Sequence, residues 1–356
     1  MKIAMVTNNF YPCIGGVEKV VQDMGEKLSK RGHEISVLCL NKCANSGEKL
    51  PEKGRRGSIN IERMPYLDLK YYKIALSVLN KVKEADVIHV HGVGFFSDFL
   101  IATKLLHKKP VVVSTHGGIF HTKKIALLKK IYFHTVQRIL LNFCVTVAVS
   151  KNDFKLFSGI ASPVLIQNGV SAEKFKHGKK EKNTFLFLGR FSKNKRVENL
   201  LDAFSKIEGN YKLLIAGTDW ENLLSGYKKK CMELGIENKI KFILNPKDNE
   251  TKELYAKSEY FVSASQYEGF GIALVEAMAS GCIPIVQKNE GFSNIITENK
   301  NGYFADFDSS ESHKKIESVM KKDNMEIIEG ALKRSKDFSV ETGVNKLEKI
   351  YMEICK

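Results

Sequence analysis

The segment Ser265–Glu276 constrains the fold of this chain more than any other feature. It follows Tyr260–Ala264, an apolar run of the length of a buried strand. It continues into a helical pattern that stops at Gly281, a residue type that commonly ends helices. A buried strand that passes through a short turn into a helix is the repeating unit of a parallel sheet, so the segment predicts an α/β fold.

The turn in this segment combines two glycines with two carboxylates. Gly269 and Gly271 let a ligand approach the backbone closely, and the first amides of the following helix favour an anion. Glu268 lies on the turn, and Glu276 lies about a turn and a half inside the helix. Two carboxylates beside a phosphate site suit a ligand with hydroxyl groups, one carboxylate for a sugar and one for a ribose. The alternative interpretation is an ordinary strand-loop-helix with solvated glutamates.

The composition bounds the class of protein. The chain has 356 residues, enough for two domains of about 150 residues each. Its net charge of +16 indicates an anionic partner: a nucleotide, a phospholipid headgroup or a nucleic acid. No acidic residue occurs between Asp98 and Asp153, so basic charge is concentrated there. The sequence shows no helix-turn-helix, RNA-binding aromatic signature or zinc finger, which disfavours a nucleic-acid partner.

Two further features concern the compartment. Met1–Thr7 reads as a strand rather than a signal peptide, and no run reaches the ~18–20 apolar residues of a membrane span. Of the seven cysteines only Cys39 and Cys43 are near neighbours, with no second pair to complete a zinc site. We therefore expect reduced thiols and a cytoplasmic protein, at the inner face of the cytoplasmic membrane if its basic surface binds anionic lipid.

The N-terminal region reads as a βαβ unit. A strand, Lys2–Thr7, leads through a loop to Gly15 and Gly16, and a helical pattern then runs until Gly32. The second strand is Ile35–Leu40. The glycine pair admits a phosphate or an acceptor group, although the GxGxxG spacing is absent. The alternative is a tight turn with nothing bound. The next segment, residues 41–60, is polar and is predicted to be a loop.

Three histidines follow predicted strands of the first half. His89 and His91 end the strand beginning at Val87, and two residues apart on a strand they face the same side. No third metal ligand is evident, so packing or substrate contacts are favoured over a metal. His116 follows the strand Val111–Thr115, and the carboxyl ends of parallel strands are where ligands bind. The alternative for His116 is a loop histidine without a ligand.

An amphipathic helix is predicted over Lys123–Leu141. Its apolar side comprises Ile125, Leu128, Ile131, Tyr132, Thr135, Ile139 and Leu140. Basic residues occupy its other sides, so the helix is suited to lie on an anionic membrane surface. The alternative is an ordinary core helix with a solvated face.

The second half restarts the α/β pattern after a charged stretch, residues 177–183, which is typical of an interdomain linker. A strand, Thr184–Leu188, is followed by Arg190 and Lys195. Both should lie near the start of the helix that carries Glu276, because the carboxyl ends of parallel strands share one sheet edge. A guanidinium and an ammonium facing a helix N-terminus form a diphosphate clamp. The alternative is a basic surface loop.

Taken together, these residues resemble the retaining glycosyltransferases of the GT-B fold, family 4 (group 1 type). The resemblance covers nearly the whole chain, and several motifs carry it in the family's order. These are the glycine-rich loop Pro12–Glu18, Thr115-His116-Gly117, the interdomain turn Asn168-Gly169-Val170, Gly189-Arg190 with Lys195, and Glu268 with Glu276. Two positions depart from the family pattern: Arg196 stands where glycine is frequent, and Asn294 where glutamate is common.

The resemblance implies two Rossmann-like, doubly wound parallel-sheet domains that face a central cleft. Residues 1–168, with a returning C-terminal helix over 340–356, would form an acceptor-binding domain, and residues 169–339 a domain that binds the nucleotide sugar. The implied catalytic residues are His116, Glu268, Arg190 and Lys195. The implied donor-binding residues are Gly15, Gly16, Arg190, Lys195, Glu268, Gly269, Phe270, Gly271, Ile272 and Glu276.

The resemblance further implies that no cofactor or metal is needed, because basic side chains and a helix dipole neutralise the diphosphate. The pair Asp306 and Asp308 is accordingly read as loop residues rather than a metal-binding DxD motif. A base-reading loop is placed near Asn245 and Pro246.

One longer run bears on the substrate. Ser114–Thr122 resembles mannosyltransferases that extend lipid-linked exopolysaccharide repeats from GDP-mannose. The expected partners are therefore a nucleotide sugar, a glycan or polyprenyl-diphosphate-linked saccharide acceptor, and an anionic membrane. The alternatives are a UDP-sugar-dependent glucosyl, galactosyl or N-acetylglucosaminyl transferase, a sugar-nucleotide epimerase of the same fold, and an inactive scaffold.

Overall fold

The structure is a computed structural model that describes residues 1–13, 15–43, 47–69, 72–117, 126–175 and 178–356. The end of the Ser114–Thr122 run, the predicted helix start at residues 123–125, and His177 lie outside the described residues. The chain divides into two compact units, Met1–Gly169 with Val340–Lys356, and Val170–Ser339. The division falls one residue after the predicted boundary.

The first unit contains a large sheet and a small hairpin. Its strands are β1 (Lys2–Val6), β2 (Glu34–Leu40), β3 (Lys53–Arg56), β4 (Ile59–Met64), β5 (Leu67–Asp68), β6 (Lys73–Ile74), β7 (Val87–His91), β8 (Val111–Ser114), β9 (Val145–Ala148) and β10 (Val164–Leu165). The large sheet has the order β10-β9-β8-β7-β1-β2-β4-β3, and β5 pairs with β6. All its pairs are parallel except β3 with β4. The strand order reverses between β1 and β7, where doubly wound sheets bind ligands.

Helices cover both faces of this sheet. They are α1 (Gly16–Lys30), α2 (Val78–Lys81), α3 (Phe95–Ala102), α4 (Lys104–His107), α5 (Ala126–Tyr132), α6 (Arg138–Leu140) and α7 (Lys151–Phe157). The inner strands β7 and β8 are buried along their whole length, as expected for parallel strands covered on both sides.

The second unit has a fully parallel six-stranded sheet. Its strands are β11 (Glu181–Leu188), β12 (Lys212–Gly217), β13 (Ile240–Leu244), β14 (Ser258–Ser263), β15 (Ile283–Val286) and β16 (Tyr303–Phe304). Their order is β13-β12-β11-β14-β15-β16, so the reversal lies between β11 and β14. The helices are α8 (Val197–Ser205), α9 (Leu224–Glu233), α10 (Asp248–Lys257), α11 (Ile272–Ala279), α12 (Glu290–Ser293), α13 (Ser312–Met320) and α14 (Met325–Lys336).

The last helix, α15 (Val340–Ile354), belongs to the first unit. Its Glu348 accepts hydrogen bonds from Arg31 Nη1 at 2.6 Å and from the His33 ring at 2.8 Å. Tyr351 is fully buried and hydrogen-bonds His89 of β7. The chain therefore returns to the unit in which it began.

Two segments differ from the predictions. Residues 41–60 were predicted to be a loop, but they contain β3 and the start of β4. β3 is a charged edge strand whose residues are mostly exposed, so it lacks the apolar alternation that identifies a strand. The predicted linker 177–183 is also wrong in its second half, because β11 begins at Glu181. The first residues of β11 are exposed and polar, so the sequence there lacks the apolar pattern that identifies a strand.

The cysteines also differ from the expectation. The structure joins Cys13 and Cys43 in a disulfide with a Cα–Cα distance of 5.7 Å, whereas all seven thiols were expected to be reduced. Cys13 lies after β1 and Cys43 after β2, and these strands are neighbours in the sheet. The two cysteines are 30 residues apart, so their approach depends on the strand pairing and not on local sequence.

The helix predicted over Lys123–Leu141 is described from Ala126 onward. It passes from α5 through a π-helical segment, Phe133–Gln137, into α6. The residues of this region that are fully buried are Phe133, Gln137 and Leu141, spaced four apart. The predicted apolar side is different, and its residues Leu128, Ile131 and Ile139 are largely exposed.

We predict opposite stability effects for one substitution at two helical glycines. Alanine favours a helix over glycine by about 1 kcal/mol, but a Cβ at Gly330 in α14 would lie 2.0 Å from the Lys300 carbonyl oxygen. Gly330→Ala should therefore destabilise the protein by about 1–3 kcal/mol through overpacking. Gly226 in α9 has open space around its Cβ position, so Gly226→Ala is the matched control and should not destabilise. Denaturant unfolding measures both, and equal effects would contradict the packing described here.

Candidate active site

The predicted site residues of the second unit gather at the strand reversal between β11 and β14. The loop after β11 carries Arg190 and Lys195, and the loop after β14 carries Glu268 and leads into α11. The β11 loop also runs against the end of β12. A Cβ at Gly217 would lie 1.8 Å from the Gly189 carbonyl oxygen, and the φ of Gly217 is +150°. Only glycine fits there, and it fixes where the β11 loop leaves the sheet.

Lys195 and Glu268 form an ion pair across the reversal. The Lys195 Nζ atom lies 2.6 Å from Glu268 Oε1, and each side chain is 16% exposed. The pair is therefore largely shielded from water, and the two loops are held together by a charge-assisted hydrogen bond. Sequence reasoning placed both residues at one site, but it assigned Lys195 to the diphosphate and did not foresee that it pairs with Glu268.

A second link between the same loops comes from Asn194, which sequence reasoning missed. The side-chain amide of Asn194 donates to the backbone carbonyl oxygen of Tyr267 at 2.9 Å. The backbone carbonyl oxygen of Asn194 accepts from the backbone amide of Gln266 at 3.1 Å. These bonds fix the β14 loop just before Glu268. The only sequence signal for this role is its position between Arg190 and Lys195.

Two glycines let the β14 loop approach α11 and α12. A Cβ at Gly291 would lie 2.4 Å from the Glu268 carbonyl oxygen, so this residue admits the backbone of the β14 loop. Gly271, which precedes α11, has a φ of +106° and lies against the Phe292 ring. Gly271 is the N-cap residue of α11 and has no side chain, so it offers no side-chain acceptor to the amide of Ile272 and its neighbours. This is the arrangement that binds anions at helix N-termini.

Two neighbouring residues of the predicted donor site differ in character. The side chain of Phe270 is buried in the core against Phe338, at a ring distance of 5.4 Å. Phe270 can therefore offer a ligand only its backbone. Gly269 has open space around its Cβ position, so the structure gives no steric reason for glycine there. The sequence-based explanation, that a glycine at position 269 leaves room for a ligand, stays a prediction.

Glu276 lies inside α11 and is only 2% exposed. Its Oε2 atom accepts a hydrogen bond from the Tyr255 hydroxyl at 2.9 Å. Burial, together with the carboxylate of Glu276, raises the pKa of Tyr255 well above its ordinary value. Tyr255 therefore stays protonated and orients the carboxylate. Sequence reasoning did not find Tyr255, which lies on α10.

Arg190 contacts Trp220, the only tryptophan of the sequence. The guanidinium carbon lies 5.0 Å from the centre of the indole ring, which is a cation–π distance. The loop that carries Trp220 is held against the β11 loop because the Phe191 amide donates to the Thr218 carbonyl oxygen at 2.7 Å. Arg190 itself is exposed, so the stack holds a solvent-facing guanidinium beside the strand reversal.

One of the two departures from the family pattern, Arg196, has a structural explanation in the β11 loop. Arg196 adopts a left-handed conformation with φ of 52°, which accounts for glycine being frequent at this position. Its guanidinium donates to Asp308 Oδ2 at 3.0 Å. Asp306 accepts from the Asp308 amide at 3.1 Å. Asp306 and Asp308 thus lie in a loop, as predicted, and each accepts a hydrogen bond there.

The predicted residues of the first unit follow β1 and β8, the two strands on either side of β7. Gly15 is the N-cap residue of α1, and Gly16 is the first residue of that helix. His116 follows β8 with a φ of 45°, and its ring Nε2 lies 3.0 Å from Nδ1 of His91. His89 and His91 face the same side as predicted, with ring centres 4.1 Å apart.

Asp153 holds the His116 turn and was missed by sequence reasoning. Its carboxylate accepts hydrogen bonds from the Thr115 hydroxyl and, at 2.9 Å, from the Gly117 amide. Asp153 is 3% exposed and lies in the first turn of α7, where Ser150 accepts from its amide. The spacing of Ser150 and Asp153 is a helix-start signature that could have drawn attention to this carboxylate.

The two sets of residues provide different chemistry. The second unit offers two cations, an uncapped helix N-terminus and two fixed carboxylates, which suits an anion that also carries hydroxyl groups. The first unit offers a glycine loop and a histidine. Among the described residues, no group of three or more His, Cys, Asp or Glu side chains is arranged to hold a metal ion.

We predict that the protein loses stability as the pH falls from 7 to 5.5. Burial lowers the pKa of His89 to about 3, that of His116 to about 4, and that of His91 well below its ordinary value. The unfolded chain takes up protons at these sites near pH 6.5 and the folded protein does not, so stability falls with pH. Three such groups correspond to a loss of about 3–4 kcal/mol over this range.

Denaturant unfolding at the two pH values measures this loss, and His89→Asn should reduce the pH dependence by about a third. A free energy of unfolding that does not change between pH 7 and 5.5 would show that the histidines are not buried in the neutral form.

Comparisons with known proteins place the chain in a family. The family described as Glycosyltransferase Family 4 matches residues 14–174, and the family described as Glycosyl transferases group 1 matches residues 170–334. A GDP-mannose:cellobiosyl-diphosphopolyprenol alpha-mannosyltransferase of Xanthomonas oryzae pv. oryzae is 34% identical over 323 residues, which cover 88% of this chain and 85% of that protein. A protein of the same name from Komagataeibacter xylinus is 29% identical, over 87% of this chain and 81% of that protein.

Solved structures show the fold. A sucrose-phosphate synthase from Thermosynechococcus elongatus superposes with a TM-score of 0.79 at 17% identity, over 99% of this chain and 98% of that chain. HepE of Anabaena, solved with UDP and glucose, gives 0.78 at 17% identity, over 99% and 100% of the two chains. The chain therefore belongs to the group 1, family 4 glycosyltransferases, and it is a glycosyltransferase of the GT-B fold.

Proposed function

We propose that this enzyme transfers mannose from GDP-mannose to a lipid-linked saccharide, retains the anomeric configuration and needs no bound metal. The observation that carries the proposal is the meeting of Arg190, Lys195 and the uncapped start of α11 at the strand reversal of the second unit. The name shared by the relatives in Xanthomonas and Komagataeibacter supports the choice of donor and acceptor.

The donor diphosphate is bound by two cationic side chains and by backbone amides. Arg190 offers a forked guanidinium, Lys195 an ammonium, and the amides at Gly271 and Ile272 complete the site. As the bond to the sugar breaks, negative charge grows on the diphosphate, and these fixed groups stabilise it. No metal is required for that charge balance. The Trp220 ring keeps the Arg190 guanidinium beside the site.

The two carboxylates bind hydroxyl groups of the donor. Glu276 accepts from the ribose hydroxyls, with Tyr255 fixing its orientation. Glu268 accepts from the transferred sugar on its O3 or O4 side. Its second role is to hold Lys195, so the same ion pair links the sugar subsite to the diphosphate subsite.

We propose that retention is achieved without a carboxylate nucleophile. Retaining glycosidases use a free carboxylate at the reaction centre. Glu268 is bonded to Lys195 at 2.6 Å, which lowers its nucleophilicity and favours a positioning role. We therefore favour attack of the acceptor hydroxyl from the face that the diphosphate leaves, with the departing phosphate taking the proton. His116, Gly15 and Gly16 are proposed to contact the transferred sugar and the acceptor.

The acceptor is held at a membrane, and the first unit has a surface suited to that location. Large apolar side chains are exposed along one side of α5 and α6: Leu127 at 73%, Leu128 at 60%, Ile131 at 52% and Ile139 at 64%. Exposed basic residues, among them Lys130 and Arg138, lie on the same helices. No helix in the described part of the chain is long and apolar enough to span a bilayer. We propose peripheral binding to the anionic inner face of the cytoplasmic membrane.

We predict mannosyl transfer from GDP-mannose, and not from UDP-glucose, UDP-galactose or UDP-N-acetylglucosamine, to a polyprenyl-diphosphate-linked cellobiose. The activity should persist in excess EDTA, and proton NMR of the product should show the α-anomer. A β-linked product, or activity abolished by EDTA and restored by a divalent cation, would contradict the proposed mechanism. Use of a UDP-sugar alone would keep the enzyme class and reject the donor.

We predict a sharp difference between two lysines of one loop. Lys195→Met should lower kcat/KM by about 100-fold or more, because it removes a diphosphate ligand and leaves Glu268 unpaired. Lys193→Met is the matched control, since Lys193 is exposed in the same short helical turn and should change kcat/KM less than about threefold. Equal losses of kcat/KM for the two variants would contradict the specific role of Lys195 and would favour the alternative that this segment is only a basic surface loop.

We predict that membrane binding depends on the apolar face of α5. Full-length protein should float with vesicles that contain anionic lipid and not with neutral vesicles. Leu127→Glu with Leu128→Glu should abolish flotation, because each charge would enter the interface. Met232 of α9 is 63% exposed in the second unit, so Met232→Glu is the matched control. Flotation that survives the double substitution would reject this surface.

A further inference from the structure

We infer that His91 holds His116 in the tautomer that carries its proton on Nδ1, so that His116 serves as a hydrogen-bond donor and not as a base. The inference concerns a residue pair on two neighbouring strands, and it deepens the proposed role of His116 in the transfer reaction. His91 is a positioning residue in this account, since it acts through His116.

The pair is set by the strand order. His91 is the last residue of β7, Ser114 opposite it is the last residue of β8, and His116 follows two residues later. Nδ1 of His91 lies 3.0 Å from Nε2 of His116, a hydrogen-bond distance, and the ring centres are 5.3 Å apart. One proton must therefore lie between these two nitrogens.

The orientation of the His91 ring is fixed from the other side. The His89 ring packs on it with centres 4.1 Å apart. His89 in turn hydrogen-bonds the Tyr351 hydroxyl through Nδ1 and the Ser114 hydroxyl through Nε2, the latter at 2.8 Å. With both of its nitrogens engaged, His89 cannot rotate freely, and His91 is held between two rings.

The remaining nitrogen of His91 decides where the shared proton belongs. His91 is 5% exposed, and within the described part of the chain no hydrogen-bond partner reaches its Nε2 atom. If His116 donated to His91, then His91 would carry its own proton on this nitrogen, as a buried N–H without an acceptor. Such groups are rare in native proteins. The favoured arrangement has the proton on His91 Nδ1, donated to the lone pair of His116 Nε2.

The proton on His91 Nδ1 determines the protonation of the other ring nitrogen of His116, Nδ1. A neutral imidazole has one donor and one acceptor nitrogen. Because Nε2 of His116 accepts from His91, its Nδ1 carries the proton and can only donate. Burial lowers the pKa of His116 to about 4, so the ring is neutral at physiological pH. His116 can then donate to a substrate oxygen, but it has no lone pair left to remove the acceptor's proton. This agrees with the proposed transfer of that proton to the departing phosphate.

The tautomer is measured directly by long-range proton–nitrogen NMR of the wild-type protein labelled with ¹⁵N-histidine at pH 7.5. The sequence has nine histidines, and single substitutions assign the signals. His107 is an internal standard, because its Nδ1 accepts from the Lys109 amide at 3.0 Å and its Nε2 lies 2.7 Å from the Leu100 carbonyl oxygen. His107 must therefore carry its proton on Nε2.

We expect His116 and His91 to show the pattern opposite to that of His107, with the proton on Nδ1. A proton on Nε2 of His116, or averaging between the two forms, would overturn the inference. This result does not depend on the donor sugar, so a protein inactive with GDP-mannose would reject the proposed function and leave the tautomer assignment standing.

Two substitutions connect the tautomer to catalysis. The side-chain amide of His91→Asn places a donor near the position of Nδ1, whereas His91→Phe keeps the ring and removes the donor. We expect His91→Phe to lower kcat about tenfold or more with KM changed less than about threefold, and His91→Asn to restore most of kcat. His107→Asn, which alters an equally buried histidine of the same unit, should leave kcat unchanged. Equal kcat values for His91→Phe and the wild type would overturn the positioning role.

Discussion

The ion pair between Lys195 and Glu268 is the interaction on which the rest of the proposed site depends. It joins the loops after β11 and β14, the two strands at which the sheet of the second unit reverses its order. Both side chains are largely shielded from water, and breaking such a pair leaves an uncompensated charge at a cost of about 3–5 kcal/mol. The pair therefore fixes the loops, and with them the distance between an ammonium that suits phosphate and a carboxylate that suits sugar hydroxyls.

The backbone around this pair is packed too closely for ordinary side chains. Gly217 lies against the Gly189 carbonyl and Gly291 against the Glu268 carbonyl, at distances that no Cβ could occupy. These contacts bring the loops of β11 and β14 to the start of α11. The packing of these loops fixes the backbone amides at the start of α11, which are the donors that an anion there would use. Preorganised donors of this kind are the largest contribution to catalysis in many enzymes.

Much of the fold follows from the sequence, and the exceptions have two physical causes. Motifs of strand, glycine turn and helix predicted both parallel sheets and placed Arg190, Lys195 and Glu268 at one edge. β3 was missed because a charged edge strand has no apolar alternation, and the disulfide of Cys13 was missed because its partner comes from a neighbouring strand. The apolar periodicity of a segment shows which side of one helix or strand is buried. It does not show which other element packs against that side.

The same limit applies to the residues that support the site. Asn194, Tyr255 and Asp153 each support the site through a hydrogen bond to another loop or helix: to the residue before Glu268, to Glu276 itself and to the residue after His116. A local pattern could have suggested only Asp153, through the helix-start spacing with Ser150. The roles of the other two depend on which strands are neighbours, and that order is known only from the folded chain.

The central claim is that the strand reversal of the second unit binds a diphosphate, and isothermal titration calorimetry with guanosine, GMP and GDP tests it most directly. If Arg190, Lys195 and the start of α11 hold the second phosphate, GDP should bind at least about 100-fold more tightly than GMP, equivalent to about 2.7 kcal/mol. Equal affinities for GMP and GDP would contradict the claim, because the second phosphate would then have no site among these residues.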